Sequence, residues 1–309
     1  MRDTKDLQAP GPPPAVQRRA LLSLSALALG GCLAPSADEI GVPTTTSDCP
    51  PVGDRIVCVP ETDPDSVPIA LTADSQSVSP PATVTFTLEN GAGRELSTNF
   101  YAWTLWKRVD GDWYRVVPDI WPEPLTPLEH GEAHEWALTA EHDLPPNPGR
   151  YYDAWLEAGT VSGLGGGEYA FTADGWFGES TDPQLGFAAR FSVDAPELTL
   201  EPTEKLSDAS RDGAVVTVRG VGEGDDGRAE LIVRRVESAA DPARVIPEQA
   251  AHDYRLRNTL PFFEDGVERV RYVERSPGYP AFGIDEPYTI RYAGELYELR
   301  AEELESETG

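Results

Sequence analysis

The strongest constraint on this chain's fold is a period of two. In TVTFTL (83–88), Val84, Phe86 and Leu88 fall on one face and Thr83, Thr85 and Thr87 on the other, as in a strand with one buried face. AWTLWKRVDGDWYRVV holds two strand-like runs about Asp110-Gly111, a dipeptide that tolerates the positive φ of a two-residue hairpin. HEWAL (134–138) puts His134, Trp136 and Leu138 together. RYYDAWLEA (150–158) does the same for Tyr152, Ala154, Leu156 and Ala158, and FAARFSV (187–193) for Phe187, Ala189, Phe191 and Val193. At least six strands separated by turn signals predict a mainly β chain with a sandwich over residues 66–194. Within that span, 159–183, with GLGGGE and DGWFGE, reads as a long loop or a strand pair with glycine turns.

The pattern changes at DAPELTLEPTEKL, where Pro196 and Pro202 mark a boundary. Beyond it, AVVTVRGV (214–221) and AELIVRRV (229–236) read as strands joined through GEGDDG. PEQAAHDYRLRN reads as a helix with Pro247 in its first turn, and it must stop before Pro261. YTIRYAGELYELRAEE alternates about a turn at Ala293-Gly294. This mixed order predicts a smaller α+β domain over 195–309. Both segments are long enough to bury a core of their own.

At the other end, Arg18 and Arg19 precede an apolar run from Ala20 to Leu29. That run is too short for a bilayer core, which needs roughly 20 apolar residues. A basic start followed by a short apolar stretch is the pattern of a secretory signal, and the paired arginines suit twin-arginine export. Leu29-Gly30-Gly31-Cys32 resembles a lipobox, the cleavage site of prokaryotic lipoproteins. The resemblance implies that residues 1–31 are a removed signal peptide and that Cys32 carries a lipid, holding the protein on the extracellular face of the cell membrane. Residues 32–65, rich in Pro, Thr, Ser and Asp, read as a tether. With Cys32 used by the lipid, Cys49 and Cys58 remain as a pair. Outside the cell they can form a disulfide, and a loop this short gains roughly 2.5–3 kcal/mol in the chain-entropy model.

Charge narrows the partners. The chain has 53 acidic and 25 basic residues; residues 1–31 hold two and four of these, leaving 51 and 21. So negative a field repels nucleic acid and anionic lipid, which excludes both as partners. The basic side is almost all arginine, since the lysines are Lys5, Lys107 and Lys205. An acidic, lysine-poor, twin-arginine-exported chain resembles the proteins of extreme halophiles such as haloarchaea, where molar salt shrinks the Debye length to about 3 Å and removes most self-repulsion. The acidic run EGDDG (223–227) lacks the spaced ligands of a calcium loop.

A second resemblance covers residues 66–194. VTFTLENGAGRELSTNFYAWTLWKRVDGDWYRVVP, followed by PLTPLEHGEAHEWAL and LPPNPGRYYDAWL, resembles an immunoglobulin-like domain of prokaryotic surface lipoproteins. The likeness lies in the succession of a V-x-F-x-L strand, an aromatic strand with DGDW, a PLxxGE turn and PGRY. It implies a structural or interaction module with no catalytic residues. The closing IRYAGELYEL is similar to the end of a haloarchaeal domain of unknown function.

Nothing in the chain names a reaction. His130 and His134 in HGEAH would lie about 13 Å apart on a strand, too far for one zinc ion. Two cysteines cannot complete a tetrahedral zinc site either. Ser162 in GTVSGLG lacks the first glycine of a nucleophile elbow, and GLGGGE ends in Glu168 where a phosphate loop needs glycine. No enzyme activity, metal or cofactor is expected. The remaining feature is aromatic: all seven tryptophans lie between Trp103 and Trp176, and in 100–106 both faces carry aromatics, Phe100 and Trp106 on one, Tyr101 and Trp103 on the other. The expectation is a lipid-anchored, non-enzymatic surface protein with an interaction or structural role. The alternative is a surface solute- or glycan-binding protein that uses Tyr101, Trp103, Trp121 and Trp176, with a surface protein or glycan as its partner.

Overall fold

A computed structural model describes residues 48–118, 123–146, 148, 159–178, 184–221, 227–275 and 280–304. The segment read as an export signal, Cys32, Trp121 and the RYYDAWLEA run expected to be a strand lie outside the described residues, as does most of the EGDDG run.

The chain is mainly β. Its first part contains β1 (Arg55–Val59), β2 (Ile69–Ala73), β3 (Ser77–Val78), β4 (Ala82–Asn90), β5 (Leu96–Thr98), β6 (Thr104–Val109), β7 (Asp112–Val117), β8 (Thr126–Leu128), β9 (Ala133–Ala140), β10 (Thr160–Val161), β11 (Gly167–Trp176) and β12 (Leu185–Val193). One sheet runs β1-β12-β11-β5-β8, with β6 also on β11, β7 on β6, and β3 on β12. The other runs β10-β9-β4-β2. β2, β4 and β9 thus supply one sheet of a β-sandwich, and β6, β11 and β12 the other. The predicted alternation holds: Val84, Phe86 and Leu88 on β4, and Trp136, Leu138 and Ala140 on β9, are all buried. β6 and β7 meet at Asp110 and Gly111, both with positive φ (53° and 94°), the primed-turn geometry that matches strand twist.

Of the two readings of 159–183, the structure follows the strands: 167–176 are β11, paired with β12 on one side and with β6 and β5 on the other. Five consecutive residues, Tyr169 to Ala173, are buried, because a central strand covered on both faces loses its alternation. One span differs from expectation: residues 55–59, read as tether, form β1, which runs parallel to β12.

The sandwich core centres on Phe171 of β11. Its ring stacks on Phe86 of the facing sheet at 4.3 Å, on Trp103 at 5.4 Å and, tilted, on Trp136 at 5.5 Å. Such pairs each add about 0.5–1.5 kcal/mol beyond their buried area. The Trp136 indole N–H donates to the Phe100 carbonyl at 2.7 Å, so the buried ring carries no unmet donor.

The remainder is an α+β arrangement built on a third sheet. β13 (Leu206–Asp212), β14 (Val215–Gly220), β15 (Arg228–Val236), β16 (Ala243–Arg244), β17 (Arg269–Arg275), β18 (Tyr288–Tyr292) and β19 (Glu295–Leu304) order as β13-β14-β17-β15-β19-β18-β16. β14 and β15 are not neighbours: β17, 33 residues further on from the end of β15, lies between them. The helix signal yields α1 (Pro247–His252) and α2 (Tyr254–Arg257). Pro247 opens α1, and the Asp253 side chain caps α2 by accepting from the N–H groups of Arg255 and Leu256. Ala250 and Leu256 pack on the sheet's inner face with Val218, Leu231, Val270 and Leu299. Ala293 and Gly294, again with positive φ, turn β18 into β19.

Both parts fall in one compact unit, Pro35–Gly309. Ile246, just before α1, is buried within the sandwich core rather than the second one.

Candidate functional site

Among the described residues, the two tryptophans nearest the start of β6 are buried. Trp103 is 3% exposed and stacked on Phe171, which corrects its placement among accessible aromatics: its strand face turns toward the opposite sheet. Tyr101 and Trp176 are half-buried, and Trp121 is outside the described residues. On the other face of β6, Trp106 is also buried. Its indole N–H donates to the Thr172 hydroxyl at 3.0 Å, and the Arg115 guanidinium lies 5.5 Å over its ring. The Arg115 guanidinium and Thr172 of β11 thus cover Trp106.

The predicted disulfide is present between Cys49 and Cys58. Charged residues flanking it tie it to the sheet. Arg108 of β6 holds Asp48 at 2.8 Å and Glu168 at 3.5 Å, while Arg190 of β12 pairs with both Glu168 and Glu61. These groups are partly exposed, so each pair contributes little by itself, and their value lies in forming a network.

The most unusual chemistry is buried where α1 meets the sandwich. Lys107 of β6 places its ammonium 2.5 Å from Glu248 Oε1, with side-chain exposures of 11% and 1%. The same oxygen accepts from the Gly165 N–H at 3.2 Å and lies 3.5 Å from the Tyr169 hydroxyl, which donates to the Gly165 carbonyl at 2.7 Å. Gly165 is required there: a Cβ would stand 2.7 Å from Glu248 Oε1 and 2.9 Å from the Leu198 nitrogen. Burial, aided by the Glu248 charge, drives the Tyr169 phenol far above its ordinary range, so it stays a donor at all working pH values. Burial likewise pushes Tyr292 up to about 12, with Glu248 adding to it. Glu248 Oε2 is enclosed and has no hydrogen-bond partner among the described residues.

This constellation has groups that catalysis uses, but no substrate atom reaches a carboxylate that is 0% exposed. It can neutralise a charge and fix α1 against β6 and β11. It cannot bind or turn over a ligand without opening. No sequence signal marked the pair, whose members are 141 residues apart. The only local hint is that Lys107 is one of three lysines in the chain.

Each histidine makes a contact within the protein. His134 stacks on Phe100 at 3.6 Å at the core edge, and His130 accepts from the Gly93 N–H. His142 contacts the Leu164 carbonyl, and His252 that of Ser162 at 3.1 Å. Burial lowers the His252 pKa from 6.5 to about 4, with a further push from Arg257. Compared with known proteins, the chain matches no family model and no curated protein sequence.

Proposed function

We propose that this is an exported, lipid-anchored surface protein whose sandwich serves an interaction or structural role rather than catalysis. The observation that carries the reading is the Cys49–Cys58 disulfide, a bond that persists in oxidising surroundings and is rare in the cytosol. It lies within residues 32–65, the stretch read as a tether behind the segment that resembles a signal. The anchor would be a lipid on Cys32, since each buried CH₂ contributes about 0.8 kcal/mol to membrane attachment. The test is mass spectrometry of the native protein with membrane fractionation. A modified N-terminal Cys32 is expected, and Cys32→Ser should move the protein to the soluble fraction. An unmodified Cys32, or a chain beginning upstream of it, overturns the anchor.

The acid excess supports a high-salt setting. Lowering salt from about 1 M to 0.1 M lengthens screening from roughly 3 to 10 Å, so the thermal midpoint should fall across that range. Of the residues named for the glycan-binding alternative, Tyr101 and Trp176 are half-buried. Quenching of tryptophan fluorescence by added sugar tests it.

A further inference from the structure

The outer face of the third sheet gathers arginine in a chain of net charge −28. Arg269, Arg234 and Glu298 are cross-strand neighbours on β17, β15 and β19, and Arg271, Ile232 and Arg300 form the next row. At the end of this face lies a groove of about 780 Å³, lined by Arg234, Arg235, Arg269 and Arg291. Glu237, Glu268 and Glu295 line it too.

The four arginines are not equivalent. Arg234 is held by Glu298 at 3.0 Å. Arg235 lies 5.6 Å over the Phe263 ring, with its Nε 3.7 Å from Glu295, so its guanidinium is already oriented. Arg269 and Arg291 make no ion pair among the described residues. Salt of about 0.1 M screens charges beyond roughly 10 Å, so a bound group responds to this local mixture rather than to the whole chain. A guanidinium fork presents paired donors that match a carboxylate or a sulfate. The carboxylates in the same wall repel a second anionic group but accept from hydroxyls. The volume falls in the range of roughly 300–1,000 Å³ typical of small-molecule sites and exceeds what a lone ion needs.

We infer that this groove binds an acidic sugar: a polyhydroxylated molecule of mono- to disaccharide size bearing one carboxylate or sulfate group. Arg269 and Arg291 take the anionic group, Arg234 and Arg235 complete the wall, and the glutamates accept from the hydroxyls. The site is independent of the proposed lipid anchor.

Calorimetric titration of the full chain in about 1 M NaCl, where repulsion among carboxylates is screened, tests this. The probes are glucuronate, glucose sulfate, neutral glucose and inorganic sulfate. At least one acidic sugar should saturate and glucose should not. Arg269→Gln with Arg291→Gln should weaken binding about tenfold or more, as expected for lost charged hydrogen bonds. Both positions are on the surface, and far-ultraviolet circular dichroism checks that the variants fold. An Arg55→Gln control in β1 should change nothing. Equal binding of glucose and glucuronate, no saturation by either acidic sugar, or unchanged affinity in the double variant overturns the site. Binding of inorganic sulfate alone overturns it as well.

Discussion

The sandwich and the third sheet cover their faces with different materials. In the sandwich, each sheet covers the other, and the shared interior is aromatic, with Phe86, Trp136 and Phe171 all fully buried. The third sheet buries one face under α1 and α2 and leaves the other to rows of arginine and carboxylate, including Arg234–Glu298, Arg271–Glu230 and Arg219–Asp208. One part therefore depends on shape and volume, which salt barely touches. The other presents charges whose interactions salt and pH can tune. The join between them mixes the two kinds: an ion pair placed where a core residue would stand.

The comparison can be broken at several points. Trp136→Ala should cost about 3–5 kcal/mol, since it empties a rigid site beside Phe171, and the loss should be equal at low and high salt. A midpoint shift that shrinks with salt would show that the sandwich is not held by packing alone. Lys107→Ala should cost a similar 3–5 kcal/mol by leaving Glu248 charged and enclosed. The double variant Lys107→Met, Glu248→Met should recover most of that loss, because apolar replacement of a buried pair is often neutral or stabilising. Denaturant titration of the wild-type chain, Lys107→Met, Glu248→Met and the double variant measures the coupling. Additive losses would mean that the pair does not act as a unit.

His252 sharpens the contrast through pH. Its folded pKa of about 4 lies below the unfolded 6.5, so the unfolded chain binds more protons between these values. Its contribution is complete above the unfolded value and declines as pH falls toward 4. His252→Gln, read as thermal midpoint against pH, should flatten that part of the profile. The smallest effect belongs to the exposed face. Arg234→Ala should cost under about 1 kcal/mol and nothing measurable in molar salt.

How much of this was legible depended on how local the cause was. β4 and β9 were plain because each has one dry face and one wet one, and the hairpins were plain because Asp110-Gly111 and Ala293-Gly294 carry their own backbone preference. β11 was hidden: GEYAFTADGW starts with glycine, contains another at Gly175 and is buried on both faces, which erases alternation. β13 was hidden for the opposite reason, an edge strand of exposed polar residues. The neighbours of β14 and β15 could not be read at all, because β17 inserts between them from far along the chain. RVRYVER (269–275) did hold a signal, since its arginines alternate with buried Val270 and Tyr272. The Lys107–Glu248 contact had none, being made by two elements that only the tertiary fold brings together.

The disulfide changes how a pulled chain would carry load. In a protein held by its N-terminal end, tension along the backbone reaches Cys49 and crosses the sulfur bridge directly to Cys58. Residues 50–57 are then bypassed, including most of β1. Force enters the sheet at a buried cysteine in register with Ala188 of β12, the fourth of five rungs, rather than at Arg55. Reduction would lengthen the slack and move the point of attack to Arg55, where the rungs to β12 could open one after another. The bridge therefore acts as a mechanical bypass, delivering a pull near the far end of the edge strand instead of at its first rung.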